Sequence, residues 1–374
     1  MIFKDFRVIF PDRIEQCSIQ IKEGKIVSLH PVEGDDEILE GHGQYLSPGF
    51  VDIHIHGAGG HDTMEASFEA LEVISRTIAA HGTTSFLPTT MTVSVEEIHQ
   101  AVTAIHEAKG KVSGAHIEGV HLEGPFISKS AIGAQNPNYV IKPSIESFQR
   151  MVGDYGYLVK NITMAPEEEG ALTLARHLRD QGVNVSMGHT VATYEEALLG
   201  IQHGFNHATH LFNAMSPFTH RTPGVVGTVF DTDITTETIS DGIHISYPSL
   251  RTAYKIKGAD QTLLITDAMM ACGMPEGQYT LGGQEVISKD GAARLLSGAL
   301  AGSILTMDQA VRNLRDHTSL PLQDIINMAS LNGANFIGLG HKKGKIALGY
   351  DADLVILSQD LQVQDVFLEG KKFQ

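Results

Sequence analysis

The chain has 374 residues, 42% of them hydrophobic and 19% charged, with 38 glycines and no tryptophan, which excludes a disordered or fibrous protein and allows a large buried core. A formal net charge of −17 argues against a nucleic-acid-binding or anionic-membrane surface, while leaving room for a local basic pocket. No run of about 18 apolar residues predicts a transmembrane helix. Two widely spaced cysteines, Cys17 and Cys272, and an opening Met1-Ile-Phe-Lys-Asp-Phe-Arg7 broken by charge predict reduced thiols, no secretory leader and a cytoplasmic protein.

The first 46 residues read as short strands: Phe6 to Phe10, Cys17 to Ile21, a turn at Lys22-Glu-Gly-Lys25, then Ile26 to Leu29. From Leu46 the texture changes to strands alternating with amphipathic helices, the pattern of a parallel sheet with crossover helices. Eight strands are predicted, at 50–56, 83–89, 116–122, 159–165, 183–188, 205–210, 235–241 and 261–266, which suggests a (β/α)8 barrel. Helices are predicted at 65–81, 94–109, 168–181, 193–203 and 246–257, and after the eighth strand at 304–317 and 322–337. Residues 273–303 are Gly-rich, with a hairpin around Gly282-Gly283. Short strands return at 344–357 and from Val363 to Phe373, so both termini are expected to join in one small β-sandwich domain (1–46 and 341–374) beside a barrel of residues 47–340.

The stretch Phe50-Val-Asp-Ile-His-Ile-His-Gly57 places His54 and His56 two residues apart on a Val/Ile-rich run. In a strand the side-chain period is two, so both imidazoles share a face and can share one metal region. Active sites of such barrels lie at the C-terminal strand ends, and the ionisable residues gather there. Glu123 ends strand three, His189 strand five, His210 strand six and Asp267 strand eight. Imidazole and carboxylate donors suit zinc, iron, manganese, nickel or cobalt, and the absence of cysteine ligands disfavours a closed structural zinc site. A divalent ion on Glu123, His189 and His210 would keep a position for water, with Asp267 taking the water's proton; His54 and His56 could hold a second ion bridged by Glu123.

The chain resembles the amidohydrolase superfamily and, within it, the N-acetylglucosamine-6-phosphate deacetylase family. The resemblance rests on Pro48 to Gly57, His121-Leu-Glu-Gly-Pro-Phe126, Gly133-Ala-Gln-Asn-Pro-Asn138, Gly188-His-Thr190, Ala208-Thr-His-Leu-Phe-Asn-Ala-Met215, Ser240-Asp-Gly-Ile-His244, Thr266-Asp-Ala268 and Gly349-Tyr-Asp-Ala-Asp-Leu-Val355. It implies removal of an acetyl group from N-acetyl-D-glucosamine 6-phosphate, with one or two divalent ions on Glu123, His189, His210, His54 and His56. It implies Asp267 as general acid/base and His244 as a group polarising the amide carbonyl or holding the sugar. Implied substrate contacts are Ala134, Gln135, Asn213, Ala214, Arg221, His244, Leu300, Ala301 and Gly302, and the implied assembly is a homodimer that completes the phosphate pocket. Some members carry His where this chain has Gln135.

Three rival functions fit a barrel of this kind. A cyclic-amide hydrolase would bridge two metals through a modified lysine on strand four, which offers only Lys160 at its start, whereas Glu123 supplies a carboxylate from strand three. A deaminase on the same barrel and a silent sugar-phosphate sensor complete the alternatives; Asp267 argues against the sensor. His220 reads as a bystander, His116 and His121 as core or supporting residues, Cys272 as a buried thiol, and Met269, Met270 and Met274 as packing for the site's loop.

Overall fold

Every residue of Phe50–Ile55 and Thr83–Thr90 is buried, as expected of strands covered on both faces, and such strands run parallel beneath crossover helices. The computed structural model describes residues 1–31 and 36–374. In it β1 (Phe50–Ile55), β2 (Thr83–Thr90), β3 (Val120–Glu123), β4 (Val159–Met164), β5 (Asn184–Met187), β6 (His207–Ala208), β7 (Thr235–Ile239) and β8 (Thr262–Ile265) pair in sequence, each parallel to the next. The eight strands lie within or close to the segments predicted for them. Two side chains and a backbone contact draw β8 to β1: Thr266 Oγ1 donates to Asp52 at 2.6 Å, and the Asp267 N–H donates to the His54 carbonyl at 2.9 Å.

Four of the helices begin at a Ser or Thr whose side chain caps the first turn. Ser94 with Glu97 and Thr193 with Glu196 form capping boxes at the heads of Val95–Ala108 and Tyr194–Gln202. Two further helices, Ile145–Val152 and Gly224–Asp231, were not among those predicted. The first is short; the second, Gly-Val-Val-Gly-Thr-Val-Phe-Asp, is β-branched and almost wholly buried, so it shows no amphipathic stripe. The helix expected over 322–337 breaks at Ser330 into Leu322–Ala329 and Leu331–Phe336. That break lets Asn332 donate to the carbonyls of Ala259 and Thr262 beneath the barrel. The expected hairpin at Gly282-Gly283 is present and gains a third strand, giving an antiparallel sheet of Gly277–Leu281, Gln284–Lys289 and Ala292–Leu295.

Both termini meet in one small β-domain whose eight strands form a single, mostly antiparallel ladder. Tyr45–Pro48 is its junction, antiparallel to Leu354–Leu357 and parallel to the far half of Ile2–Ile9. The near half of Ile2–Ile9 pairs instead with Ile38–Glu40, across an irregularity between Phe3 and Phe6. Of the run expected at 344–357, only Leu354–Leu357 is strand. Phe3, Phe6, Ile19, Leu46 and Phe367 fill this domain's own core.

Candidate metal centre and active site

The histidines and carboxylates expected at the strand ends converge on one point. Glu123, the last residue of β3, sends Oε1 to within 3.2 Å of His189 Nε2 and 3.0 Å of His210 Nε2, and those two nitrogens are 3.2 Å apart. On the other side, His54 Nε2 lies 3.4 Å from Glu123 Oε1, and His56 Nε2 lies 3.2 Å from Glu123 Oε2. Asp267 Oδ1 faces this second pair, 3.3 Å from His56 Nε2 and 3.7 Å from His54 Nε2. All six side chains are buried.

The outer nitrogens of these rings decide what the inner ones can do. His54 Nδ1 is 2.9 Å from Glu237 Oε2, His56 Nδ1 is 3.2 Å from the Thr89 carbonyl, and His189 Nδ1 is 3.0 Å from the Ala131 carbonyl. Carbonyls and ionised carboxylates only accept, so each Nδ1 carries a hydrogen and it is the Nε2 of each ring that faces the carboxylate oxygens. Contacts of about 3 Å between these nitrogens and carboxylate oxygens are favourable only with a cation between them, a proton or a metal ion. The donor set therefore fits a divalent ion, and three such groups recur: His54, His56 and Asp267; His54, His121 and Glu237; Glu123, His189 and His210.

The charges point the same way. Burial opposes ionisation of His56, but the hydrogen bonds and charges of Asp267 and Glu123 overcome it and raise the ring to about 9. Burial likewise opposes a charge on His54, yet Glu123, Asp267 and Glu237 hold it well above its ordinary range. Glu123 would be pushed up by burial, and the surrounding imidazoles instead drive it well below the usual carboxylate range. A buried pocket that draws protons this strongly attracts any small cation.

The backbone at the site is bent into uncommon geometry. His189 (φ 49°), His210 (φ 32°), Phe212 (φ 74°), Ala214 (φ 48°) and Asp267 (φ 48°) all lie in the left-handed region that non-glycine residues seldom enter, and such residues concentrate at functional sites. Gly133 (φ 56°) crosses so close to His189 that an added Cβ would sit 3.1 Å from its Cε1.

Around the cluster opens a cavity lined by His56, Glu123, Ala134, Gln135, His189, His210, Asn213, Ala214, His244, Asp267, Leu300 and Gly302, with Met91 and Leu281. Most expected substrate contacts are thus brought together. Ala301 is not: it is buried, its N–H bonded to the Ala293 carbonyl. Arg221 does not line the cavity either and stands exposed on the loop after His210. His244 Nδ1 bonds Asp241 Oδ2 at 2.6 Å. Gln135 is buried and bonds Glu123.

Sequence reasoning missed two carboxylates. Glu237, fully buried on β7, holds His54 Nδ1, accepts the His210 N–H at 3.1 Å and meets His207 Nε2 at 3.2 Å. Asp52 receives the N–H of His54 at 3.2 Å, and burial raises it to about 7. Asp52 shares the face of His54 and His56 by the same two-residue period, so its signal was present. Glu237 lies inside a polar strand with no motif around it. His121 packs its ring 4.6 Å from that of His54 and bonds Thr163, and burial takes it down to about 3. Cys272 is buried, which pushes its thiol to about 12. Met269 packs inside, whereas Met274 is exposed.

The amidohydrolase family model matches residues 45–373. An N-acetylglucosamine-6-phosphate deacetylase of Lysinibacillus sphaericus is 43% identical over 364 residues, 96% of this chain and 94% of the relative. The solved N-acetylglucosamine-6-phosphate deacetylase of Pasteurella multocida superposes with a TM-score of 0.95 at 31% identity, covering 99% of this chain and 98% of that one. A mutant deacetylase of Mycobacterium smegmatis, solved in complex with N-acetyl-D-glucosamine-6-phosphate, superposes with a TM-score of 0.93 at 30% identity, covering 100% of this chain and 99% of that one. The chain belongs to the amidohydrolase family and, within it, to the N-acetylglucosamine-6-phosphate deacetylases.

Proposed function

We propose that the chain is a metal-dependent hydrolase that removes the acetyl group of N-acetyl-D-glucosamine 6-phosphate, giving D-glucosamine 6-phosphate and acetate. The observation that carries this reading is the meeting of four imidazoles on Glu123 with Asp267 beside them, at the end of the barrel where such sites form. Glu123, His189 and His210 would hold one ion, and His54 and His56, with Glu123 shared, a second. When bound, the ion supplies Lewis acidity and brings the pKa of the attacking water towards neutrality.

This chain's own residues do the rest. Asp267, which burial would raise, is kept below the usual carboxylate range by His54 and His56, so it is ionised and able to accept the water's proton. It then delivers that proton to the departing nitrogen as the C–N bond breaks and the hydroxyl stays on the acetyl carbon. With Nδ1 of His244 committed to Asp241, Nε2 is left to meet the acetyl carbonyl or a sugar hydroxyl. Asn213 and the backbone about Ala134, Ala214, Leu300 and Gly302 would position the sugar.

Among the described residues no lysine or arginine lines the cavity, so a phosphate there needs a cation from outside it. That supports a homodimer in which Arg221, on its exposed loop, serves a phosphate across the interface; its planar fork suits bidentate contact. A cytoplasmic setting is supported by two buried, unpaired cysteines, and no helix among the described residues is long and apolar enough to cross a membrane. Zinc, iron, manganese, nickel and cobalt all accept this donor set. Acetate release, measured on the phosphorylated and the unphosphorylated sugar with and without chelator, tests the reading. Metal-dependent release from the phosphorylated sugar is expected; chelator-resistant release, or none from either sugar, would contradict it.

A further inference from the structure

Gln135 lies in the loop that crosses the cavity after β3, and both ends of its amide are engaged. Thr92 donates its backbone N–H to Gln135 Oε1 at 2.7 Å, and Gln135 Nε2 donates to Glu123 Oε2 at 2.7 Å. The orientation is forced, because a backbone N–H can only donate, so the oxygen must face Thr92 and the nitrogen must face the carboxylate. A second link ties the same residues: Thr92 Oγ1 donates to the Glu123 carbonyl at 3.2 Å. The loop is held from outside by Gln284, which donates to the Ala134 carbonyl at 2.5 Å. Gln135 is only 4% exposed, and the second hydrogen on its nitrogen turns towards Met91 Sδ at 3.8 Å.

We propose that Gln135 is a positioning residue: it clamps Glu123 so that Oε1 faces His189, His210 and His54 while Oε2 faces His56, and so makes one carboxylate able to serve two ions. This rests on the metal-hydrolase reading and replaces the expectation that Gln135 touches the sugar. Glu123 Oε2 has two lone pairs; one takes the Gln135 hydrogen bond and the other is left pointing to the His56 side. Without the amide, the carboxylate can swing towards the His189 and His210 pair and abandon the second ion. A group that orients a ligand in this way is worth about 10–100-fold in metal affinity.

The test is made on chelator-stripped, reconstituted protein with Zn²⁺ or Mn²⁺ alone, counting ions per chain by mass spectrometry and measuring each affinity by calorimetry. For Gln135→Leu, two ions per chain in the parent are expected to become one tightly held ion and one weakened by about 10–100-fold. Steady-state kinetics should show a lower kcat with KM for N-acetyl-D-glucosamine 6-phosphate nearly unchanged. Gln135→Ala, checked like the first by circular dichroism, keeps the question open to refutation if the leucine variant misfolds. Unchanged affinity for both ions, one ion per chain in the parent, or a raised KM with kcat and metal affinity intact would each overturn the proposal. Ion uptake is counted without substrate, so these results are distinguishable from any failure of the deacetylase reading.

Discussion

Both ends of the barrel bury a knot of charges, and they solve the problem of burial differently. At the N-terminal end Lys343, itself buried, meets Asp353 at 2.5 Å, Asp351 at 3.3 Å and Glu118 at 3.6 Å. Burial would lower that lysine, but the three carboxylates hold it above its ordinary range, and it stays charged. The cation is covalently part of the chain, and the knot fastens the terminal β-domain to the barrel. At the C-terminal end, Glu123 and Asp267 sit among imidazoles whose Nδ1 hydrogens are, in three cases of four, already given to Glu237, Thr89 and Ala131. Among the described residues no lysine or arginine lines that cavity. A buried carboxylate cluster that brings its own cation is a staple; one ringed by imidazole Nε2 atoms, with no lysine or arginine among the described residues of its lining, is a place for an ion.

The comparison breaks most easily at the staple. Lys343→Met should destabilise the fold by about 3–5 kcal/mol, because removing one partner leaves buried charges uncompensated, while the ions bound per chain stay unchanged. Denaturant unfolding beside metal analysis checks both halves, and a loss of metal would show that the two ends are not independent. Asp267→Asn is expected to cost roughly 10²–10⁴-fold in kcat, with metal still bound, since the proton carrier is lost while an oxygen remains. Near-normal turnover would remove Asp267 from the chemistry. Glu237→Gln should weaken metal binding by about 10–100-fold without moving Lys343 stability, because the His54 tautomer is no longer enforced.

The smallest effect concerns a separate buried ion pair that also carries its own cation. Burial opposes ionisation of Asp308, but the hydrogen bond from His81 at 3.2 Å, that from Thr306 and the charge of Arg312 at 2.7 Å lower it to about 2. A depressed carboxylate contributes stability above its unfolded value near pH 4 and loses it as pH falls through about 2, here about 2 kcal/mol. Asp308→Asn should therefore lower stability at pH 7 by that amount and cost nothing near pH 2, as unfolding curves at the two pH values would show. An equal penalty at both would assign the loss to packing.

The barrel and the candidate metal donors were legible because each rests on a local rule. Eight short strands alternated with amphipathic helices, and His54, Glu123, His189, His210 and Asp267 all fell at strand ends. What stayed hidden depends on neighbours distant in sequence. Glu237 looks like an ordinary polar position in Thr235–Ile239 until closure turns it inwards beneath His54 and His210. Gln135 sat in a recognisable loop, but only the fold brings Thr92 and Glu123 to its two ends. Ala301 adjoined residues that do line the cavity, yet its own side chain packs into the core. The helix Gly224–Asp231 escaped notice because burial on all sides erases the amphipathic period.

The most direct test strips the protein with chelator, confirms the loss by mass spectrometry, and follows acetate release from N-acetyl-D-glucosamine 6-phosphate as Zn²⁺ or Mn²⁺ is titrated back. Turnover should be absent at the start and rise in proportion to ion bound at the Glu123 cluster. Full turnover by protein shown to contain no metal would contradict the account.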